Sequence, residues 1–438
     1  MSQTATVSQE ASSIELGRLR GNHHAHFDPK TTATEDNGHG DNKEVERWNR
    51  PRGNMNRLGF AFLSFIIAGM NDAAVGLEEY YDLSYTVVSL IFLTPFAGYS
   101  VAAFTNARIH MKLGQRGVAI MAPLCHIITY VVLAVHPPWP VLVVINMISG
   151  FGNGLTDACF CAWVGVMDKA NAIQGFLHSF YSVGALLAPL IATSMVVKAG
   201  LPWYTFYYIM IGLSTVEWAG LTIAFWHKTG AVYQEEHRNE SGSTEGAGTR
   251  EALKSKVTWL CALFFFAYMG VEVGLGGWVV TFMLRVRKAS AYASGVSGTG
   301  FWTGMAVGRA SLGFVTERFG ERLCVLVYLA LSIGLQLLFW LVPQFIVSAV
   351  AVAFLGFFLG PLFPGAVMVT AKLLPKRIHV SAIGFAMAMG GTGGTVFPFI
   401  IGAIASHKGV SVLQPIILAL IAVVTLVWLS FPRIKKAE

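Results

Sequence analysis

The polar segment HKTGAVYQEEHRNESGSTEGAGTREALKSK (residues 227–256) decides how this chain is organised, because the sequence on both sides of it is strongly apolar. Of the 438 residues, 54% are hydrophobic and only 13% are charged, whereas soluble domains carry about 25% charged residues. Apolar runs of about 20 residues, the length that crosses a bilayer core of about 30 Å, recur from residue 57 onward. The composition therefore predicts a multi-pass integral membrane protein.

Six apolar runs precede the polar segment and six follow it. They are predicted as TM1 (58–79), TM2 (85–105), TM3 (117–135), TM4 (140–166), TM5 (174–197), TM6 (202–226), TM7 (257–284), TM8 (292–315), TM9 (322–342), TM10 (345–371), TM11 (380–405) and TM12 (411–431). The expected fold is all-α, with twelve transmembrane helices in two pseudo-symmetric six-helix bundles. The predicted parts are a tail (1–56), the first bundle (57–226), a linker (227–256), the second bundle (257–431) and a short tail (432–438).

The distribution of Lys and Arg predicts the orientation, since loops rich in these residues stay in the cytoplasm. With a cytoplasmic N-terminus, the outside loops hold few of them: Lys198, Arg285, Arg287, Lys288 and Lys408. Both termini and the linker are therefore expected in the cytoplasm, with the plasma membrane favoured over an internal one. The first 56 residues lack the basic start and apolar run of a cleaved signal peptide and are predicted to be disordered. The net charge of +7 is explained by this topology and by anionic lipid, so no nucleic-acid partner is expected.

The cysteines and the known catalytic motifs argue against other classes of protein. All five cysteines fall inside predicted spans, and Cys159 and Cys161 are too close on a helix to bridge. We therefore expect no disulfide, no metal site and no cofactor. A Gly-x-Gly-Asp arrangement occurs at residues 38–41, in the predicted tail, and none occurs in the predicted spans; the sequence contains no His-Glu-x-x-His or Gly-x-Ser-x-Gly arrangement and no Walker-type phosphate loop. The motifs missing from the spans argue against an intramembrane enzyme, and the missing phosphate loop argues against ATP-driven transport. The protein is expected to be a monomer.

The two halves of the chain repeat each other. KLGQR, ending at Arg116, and RFGER, ending at Arg322, lie 206 residues apart. Further glycines and prolines recur at offsets of 206 or 209: Gly150 with Gly356, Gly154 with Gly360, Gly184 with Gly393, and Pro189 with Pro398. Such repeats mark hinges and binding sites in transporters, because helix breaks at membrane depth face protein or a water-filled cavity. Close helix packing is the alternative explanation for each glycine.

The loop after TM8 carries a family resemblance. In GRASLGFVTERFGERL (308–323), one glycine, one acidic residue, one arginine, a second glycine and a second arginine lie at the spacing of the signature of the major facilitator superfamily: Gly313, Glu317, Arg318, Gly320 and Arg322. The chain resembles that superfamily over about residues 55–431. The resemblance implies a cytoplasmic gate formed by Glu317, Arg318 and Arg322. The first-half copy, NARIHMKLGQRG, lacks the acidic residue.

Within the superfamily, the chain resembles the fucose permease type of sugar and proton symporters, including fungal members. The motifs that carry this resemblance occur in the expected order: MND in TM1, YMGVEVGLGGWVVTF (268–282) in TM7, GFFLGPLFPG (356–365) in TM10 and MGGTGGTVFP (389–398) in TM11. TM1 is shorter near its outer end than in family members, which tilt or local bilayer thinning accommodates. The resemblance implies transport by alternating access.

Four acidic residues are predicted at membrane depth, away from the span ends: Asp72, Asp157, Glu217 and Glu272. A carboxylate at mid-membrane costs about 2.5–3.5 kcal/mol, so it is retained where it faces a cavity, a partner or a proton. The family resemblance links the acids of TM1 and TM4 to proton coupling, and Asp72 and Asp157 match those places, although the family more often has Glu in TM4. The alternative for this pair is a structural hydrogen bond to a neighbouring helix.

Several polar residues are candidates for binding a substrate. Glu272 is surrounded by glycines and followed by Trp278, and an acceptor beside an aromatic ring suits the hydroxyls and C–H face of a sugar. The alternative for Glu272 is a hydrogen bond between helices at a gating hinge. Asn71, Asn153 and His178 are assigned to the same site. His178 is included because TM5 packs at the interface between the halves, and a structural hydrogen bond is the alternative for this lone histidine.

Three further residues in the spans are assigned mainly structural or gating roles. Glu217 and His126 are expected to make structural hydrogen bonds. Arg309 follows Gly308 in TM8, toward the expected cytoplasmic side, and is predicted to form a closed-state latch with Glu317 or with an acid of another helix.

The sequence therefore predicts a secondary active transporter that moves a sugar or related small polar solute together with protons. Two alternatives remain open at this point. An exporter of drugs or metabolites with the same fold would need a larger and more apolar cavity. A non-transporting nutrient sensor would bind the ligand without flux, and the short TM1 keeps that alternative open.

Overall fold

The computed structural model describes residues 46–71, 90–238 and 247–432. Within these ranges every regular element is a helix, apart from one isolated β-bridge between Arg47 and Arg50. The expected all-α fold is confirmed, with twelve membrane-spanning helices in two six-helix bundles. Asp72 and the predicted TM1–TM2 connection lie outside the described residues.

The observed helices match the predicted spans in number and order. TM1 is Gly53–Asn71, TM2 and TM3 are the two arms of Leu90–Ala134, TM4 is Trp139–Val164, TM5 is Ala170–Thr193 followed by a π-helical turn Ser194–Lys198, TM6 is Phe206–Ala224, TM7 is Lys256–Arg285, TM8 is Ala291–Phe319, TM9 is Glu321–Leu341, TM10 is Phe345–Leu359 plus Leu362–Leu373, TM11 is His379–Lys408 and TM12 is Leu413–Ser430. Nine stretches of the described residues are long and apolar enough to cross a membrane. One of them, Thr94–Ala134, contains both TM2 and TM3.

TM2 and TM3 are joined by a much tighter connection than the sequence predicts. The predicted loop between residues 105 and 117 is helical except at Gly114, which has φ 70° and ψ −168°. A Cβ atom at this position would lie 2.3 Å from the carbonyl carbon of Thr229. Only glycine combines the left-handed conformation with this close approach of the linker backbone.

The polar linker is partly helical and is attached to both bundles. Its described parts form two short helices, Gly230–Arg238 and Ala247–Lys254. The backbone N–H of Arg116 donates to the Lys228 carbonyl at 3.0 Å, on the side of the first bundle. Arg377 pairs with Glu251 on the side of the second bundle.

The repeated glycines are positions where helix backbones touch. A Cβ atom at Gly150 would lie 2.1 Å from the Pro95 carbonyl oxygen of TM2, and one at Gly356 would lie 2.2 Å from the Phe301 carbonyl oxygen of TM8. The TM4–TM2 contact of the first bundle is therefore repeated as the TM10–TM8 contact of the second. These two glycines fit the packing explanation, in which small residues let membrane helices approach closely.

A helix break occurs in TM10 but not at the equivalent place in TM4. TM10 ends one helix at Leu359 and begins another at Leu362, across Gly360 and Pro361, whereas TM4 is one continuous helix. The expectation of matching interruptions in both halves is therefore wrong for this pair. Because Pro364 has no N–H, the Gly360 carbonyl cannot make its usual helical hydrogen bond, and it is open to another donor.

The two bundles pack against each other through a small set of helices. TM5 packs on TM8 and TM10, and TM11 packs on TM2 and TM4. The largest cluster of buried apolar residues is continuous through both bundles, from Phe160 on TM4 to Phe265 on TM7 and Ile383 on TM11. Large apolar side chains on other helix faces, such as Ile223 and Leu426, are strongly exposed. Exposed apolar faces fit helices that contact lipid rather than water.

Candidate substrate and gating site

A buried ion pair lies at the centre of the second bundle. Arg309 of TM8 donates from Nη2 to both carboxylate oxygens of Glu272 on TM7, at 3.0 and 2.8 Å. Both residues are 2% exposed. A buried charge is stable only when it is paired and its remaining hydrogen-bonding groups are satisfied. Arg309 is predicted to pair with Glu317 or with an acid of another helix, and the partner in the structure is Glu272.

The other donors of Arg309 reach two more helices. Its Nη1 donates to Ser182 Oγ of TM5 at 2.5 Å, and its Nε donates to the Gly360 carbonyl at 3.3 Å. That carbonyl is the one left open by Pro364 in TM10. Arg309 therefore connects TM7, TM8 and TM10 of the second bundle to TM5 of the first bundle.

TM5 and TM8 approach closely along the same interface. A Cβ atom at Gly175 would lie 2.3 Å from the Arg309 carbonyl oxygen. Ser179 donates from its hydroxyl to the Ala306 carbonyl at 2.9 Å. The interface around Arg309 is thus both tightly packed and polar.

His178 lies at the meeting point of the two bundles. Its ring packs edge-on against Phe65 of TM1 and against Phe363 of TM10, with centroid distances of 5.3 and 4.7 Å. Its Nε2 lies 3.6 Å from Cys161 Sγ on TM4. His178 is 6% exposed and its carbonyl accepts a hydrogen bond from Ser182. The expected position of His178 between the halves matches these contacts, and its assignment to substrate binding stays a prediction.

Asp157 faces the protein interior. Tyr99 of TM2 donates its phenolic O–H to Asp157 Oδ2 at 3.0 Å. The residues one turn away on the same helix face, Asn153 and Cys161, are at most 1% exposed, whereas Asp157 itself is half-buried. Asp157 therefore lies on a face of TM4 whose neighbouring residues are covered by protein.

Asn71 and Asn153 contact different parts of the first bundle. Asn71 Oδ1, at the end of TM1, accepts a hydrogen bond from Ser149 Oγ of TM4 at 3.1 Å. Asn153 Oδ1 lies 2.9 Å from His126 Nε2 of TM3 and is part of a fully buried polar cluster. Their assignments to substrate binding stay predictions.

Glu272 and Trp278 are not brought together as the sequence analysis expects. The indole N–H of Trp278 donates to the Pro398 carbonyl of TM11 at 3.2 Å, and the ring packs where Gly402 leaves room for it. Glu272 is bound by Arg309 on another side of TM7. Six residues along a helix correspond to 600° of rotation, so the two side chains leave TM7 in different directions.

Where TM8 ends, Glu317 and Glu321 make the contacts between the bundles, and the assignment of Glu317, Arg318 and Arg322 to a cytoplasmic gate stays a prediction. The backbone N–H of Asn171, at the beginning of TM5, donates to Glu317 Oε2 at 3.1 Å. Asn171 Nδ2 donates to Glu321 Oε1 at 2.7 Å, and Lys372 pairs with the same oxygen. The free N–H groups and positive dipole end of a helix N-terminus favour a carboxylate there. Sequence reasoning missed Asn171 and Glu321.

The two signature arginines make contacts within the second bundle. Arg318 is exposed, and its guanidinium lies 5.9 Å from the ring centroid of Phe319. Arg322 donates from Nη1 to the Phe431 carbonyl at 3.2 Å, next to the end of TM12. Of the four residues assigned to gating, Arg309 and Glu317 make the contacts that cross between bundles in the described part of the chain.

The described residues contain no cluster of three or more His, Cys, Asp or Glu side chains that could hold a metal ion. Their five cysteines are all free thiols.

A family model and several curated relatives place the chain in one family. The family model of the Major Facilitator Superfamily matches residues 57–300 and 288–438. Bypass of stop codon protein 6 of Saccharomyces cerevisiae is 31% identical, over 86% of this chain and 82% of that protein. The Bacillus subtilis glucose/mannose transporter GlcP is 22% identical, over 79% of this chain and 86% of that protein. The gentisate transporter of Corynebacterium glutamicum is 24% identical, over 79% of each.

Several solved transporter structures have a fold similar to that of this chain. The E. coli fucose:proton symporter FucP aligns with a TM-score of 0.67 and 14% identity, over 85% of this chain and 97% of that one. A bacterial homologue of the iron transporter ferroportin, in its outward-facing state, aligns with a TM-score of 0.71 and 12% identity, over 86% of this chain and 98% of that one. At these identities the likeness concerns the fold alone.

Proposed function

The chain belongs to the major facilitator superfamily of membrane transporters, and on that premise we propose that it carries a sugar or related small polar solute together with protons. Transport proceeds by alternating access, with the two bundles rocking about a central site. The protein is of the fucose permease type, in a fungal-type variant, and its relatives include a yeast protein and a transporter named for glucose and mannose.

The observation that carries this proposal is the position of Asp157. Asp157 is half-buried among protein-covered residues of TM4, and its carboxylate accepts a hydrogen bond from the neutral Tyr99 hydroxyl. Because the Tyr99 hydroxyl is uncharged, it can donate to the Asp157 carboxyl group in both of its protonation states. Asp157 binds the coupling proton, and Asp72, which lies outside the described residues, is its proposed counterpart on TM1.

The central site lies at the level of Arg309, Glu272 and His178, where the bundles meet. Ser182, Arg309 and Glu272 supply donors and acceptors for hydroxyl groups, and Phe363 beside His178 supplies an aromatic face. Sugars are recognised by this combination of polar groups and rings. During the transport cycle, the Glu272 carboxylate exchanges its contact with Arg309 for a contact with the substrate.

The conformation supports alternating access between two sides. The contacts of Asn171 with Glu317 and Glu321 join the bundles at the end where TM8 and TM10 finish, the expected cytoplasmic side. Contacts of TM5 with TM8 continue from there to Ser182 in the middle of TM5. We assign this conformation to a carrier closed toward the cytoplasm.

An organic anion is the second candidate substrate. A gentisate transporter is among the relatives, and the guanidinium of Arg309 is a suitable partner for a carboxylate. In this case the anion replaces Glu272 as the partner of Arg309.

Uptake into proteoliposomes tests the proposal. The purified protein is reconstituted, a pH gradient is imposed with the acidic side outside, and radiolabelled neutral sugars and gentisate are supplied one at a time. We expect one neutral sugar to accumulate above its outside concentration, and only with the gradient. Accumulation of gentisate alone would favour the anion candidate, and solute entry that ignores the gradient would contradict proton coupling.

A further inference from the structure

Residues 46–52, directly before TM1, form a closed turn. The backbone N–H groups of Arg47 and Arg50 each donate to the other residue's carbonyl, at 3.1 and 3.2 Å. Nδ2 of Asn54, the second residue of TM1, donates to the same two carbonyls at 3.0 and 3.3 Å. Asn54 is fully buried, so TM1 holds the turn from below. We call residues 47–52 the arginine turn.

Glu46 anchors the arginine turn to the ends of other helices of the first bundle. One oxygen of its carboxylate accepts a hydrogen bond from the indole N–H of Trp163 on TM4, at 3.1 Å. The other oxygen lies 3.6 Å from Nζ of Lys228, which follows TM6. The Glu46 carbonyl accepts from the backbone N–H of Asp168, between TM4 and TM5, at 2.9 Å. The acid of this segment is therefore used to fix the turn to the protein.

The arginine turn presents its side chains to the outside. All six of its residues are exposed, and Trp48 is 43% exposed. Among the residues that the structure describes, no acidic side chain is paired with Arg47, Arg50 or Arg52. Three guanidinium groups thus occur within six residues of a fixed segment. The planar fork of N–H donors on a guanidinium matches the oxygens of a phosphate group.

The arginine turn lies where the lipid-facing surface of TM1 begins. Met55, in the first turn of TM1, is 53% exposed. A Cβ atom at Gly59, four residues later on the same face, would have nothing within 4 Å. Arg57 donates to a carbonyl at the end of TM6, so that end lies at the same level, and Trp226 beside it is 52% exposed. Exposed tryptophans such as Trp48 and Trp226 are typical of the headgroup level of a membrane.

We infer that the arginine turn binds the headgroup of one anionic phospholipid. The sequence predicts that this end of TM1 faces the cytoplasm, and the cytoplasmic leaflet is the one that carries anionic lipid. The arginines bind the phosphate oxygens, Trp48 contacts the glycerol region, and an acyl chain lies along Met55 and Gly59 of TM1. This site does not depend on the identity of the substrate or on proton coupling.

A fixed turn differs from the general attraction between basic loops and anionic lipid. Arg108, Lys112 and Lys376 are also exposed and lie in connections that are expected on the same side of the membrane. The first two belong to the TM2–TM3 connection and the third to the TM10–TM11 connection, so they do not form one cluster. They carry the same total charge as the three arginines of the turn. These residues therefore supply a matched control.

Native mass spectrometry of the full-length protein counts bound lipid. The purified protein in detergent is titrated with phosphatidylserine and, separately, with phosphatidylcholine. We expect the wild type to retain one phosphatidylserine at concentrations where no phosphatidylcholine is retained. In the triple variant Arg47→Gln, Arg50→Gln and Arg52→Gln, the apparent Kd of this first phosphatidylserine should rise by about tenfold or more. Equal retention of the two lipids by the wild type, or an unchanged Kd in the triple variant, would overturn the inference.

Two controls separate a headgroup site from other sources of binding. The triple variant Arg108→Gln, Lys112→Gln and Lys376→Gln removes the same charge and should bind phosphatidylserine almost as well as the wild type. An equal loss of binding in both triple variants would show only general surface attraction and would overturn the site. Glycerophosphoserine, the headgroup without acyl chains, should not displace the bound lipid at equal concentration. Displacement would show that the turn takes a free phosphate compound and not a lipid.

Glu46→Ala tests whether the turn must be fixed. This variant keeps all three arginines and makes the protein more positive, so general attraction would strengthen lipid binding. We expect weaker binding, because the turn loses the hydrogen bond from Trp163 and the contact with Lys228. Equal or tighter binding would contradict a fixed site. Thermal unfolding without added lipid shows whether each variant is folded. If Glu46→Ala is not, Trp163→Phe removes the same hydrogen bond at unchanged charge and is expected to weaken lipid binding in the same way.

Discussion

Arg309 is the residue on which contacts from three helices and both bundles converge. Its guanidinium binds Glu272, Ser182 and the Gly360 carbonyl, and it is 2% exposed. A charge in this position is retained at a high desolvation cost, which only its partners offset. Glu272 is the partner that neutralises it, so neither residue can be considered alone.

Removing either member of this pair should be strongly destabilising. In Arg309→Met the Glu272 carboxylate is left buried without its cation, and we expect a loss of about 3–5 kcal/mol in the free energy of unfolding. The double variant Arg309→Met with Glu272→Met should recover much of this loss. Thermal unfolding of the purified protein in detergent measures both. Arg318→Gln, at an exposed arginine, is the control and should change the stability by less than about 0.5 kcal/mol.

A single Arg309→Met variant with wild-type stability would contradict the buried pair. A double variant as unstable as the single one would show instead that the contacts to Ser182 and Gly360 dominate.

Asp157 should be needed for coupling but not for exchange of substrate. Asp157→Asn keeps the hydrogen bond from Tyr99 and cannot change its protonation, so uptake driven by a pH gradient should be lost while counterflow of substrate persists. Asp157→Glu is the control and should retain part of the coupled uptake. Coupled uptake at the wild-type rate in Asp157→Asn would exclude Asp157 as the coupling acid.

At the scale of helices, glycines at equivalent positions of the two bundles allow equivalent pairs of helices to approach closely. Gly184 of TM5 faces the Ile66 carbonyl of TM1, and Gly393 of TM11 faces the Phe266 carbonyl of TM7. These contacts let TM1 and TM7 lie directly against TM5 and TM11. Any side chain larger than hydrogen at these positions would separate the helices.

Adding one methyl group at two glycines should have opposite effects. In Gly393→Ala the Cβ atom would lie 1.8 Å from the Phe266 carbonyl oxygen, and overpacking of this kind costs about 1–3 kcal/mol. At Gly277 nothing lies within 4 Å of the added atom, so Gly277→Ala should be neutral or should gain about 0.5–1 kcal/mol of helix stability. The difference in thermal unfolding midpoint between the two variants measures the effect. Equal midpoints would contradict the close TM11–TM7 contact.

The gate between TM5 and the TM8–TM9 connection should depend on Asn171. Asn171→Ala removes the hydrogen bond to the Glu321 carboxylate, which is worth about 1.5–3 kcal/mol. The conformation closed on this side should therefore lose population. Spin labels at the exposed positions Arg108 and Phe319 report the distance between bundles. Arg318→Gln is the control and should leave the distance distribution unchanged; the same distribution in Asn171→Ala would contradict the gate.

The spans could be predicted from the sequence, but the pairs of side chains inside them could not. Apolar runs identify helices in a membrane because no other backbone arrangement satisfies its own hydrogen bonds there. The tight TM2–TM3 connection was missed because charged residues before Gly114 were interpreted as a loop. The Glu272–Arg309 pair joins two helices, and its partners follow from how TM7 and TM8 rotate against each other. The separation of Glu272 from Trp278 follows from helix geometry, which the sequence analysis did not apply.

At the scale of the whole molecule, two bundles share one continuous core and meet through polar contacts on TM5, TM8, TM9 and TM10. Beside this apolar core, hydrogen bonds of Asn171, Ser179 and Ser182 join the bundles. Hydrogen bonds of this kind can be broken and remade as the bundles move. This arrangement suits a carrier in which each bundle moves as a unit.

Proton movement during substrate entry tests the central claim most directly. Proteoliposomes in weakly buffered medium receive a sugar that the uptake panel identifies, with no initial pH gradient, and the outside pH is recorded while the sugar enters. The account predicts that the medium becomes more alkaline in step with sugar entry for the wild type, and that this change is absent for Asp157→Asn. Sugar entry by the wild-type protein at constant outside pH would contradict proton coupling.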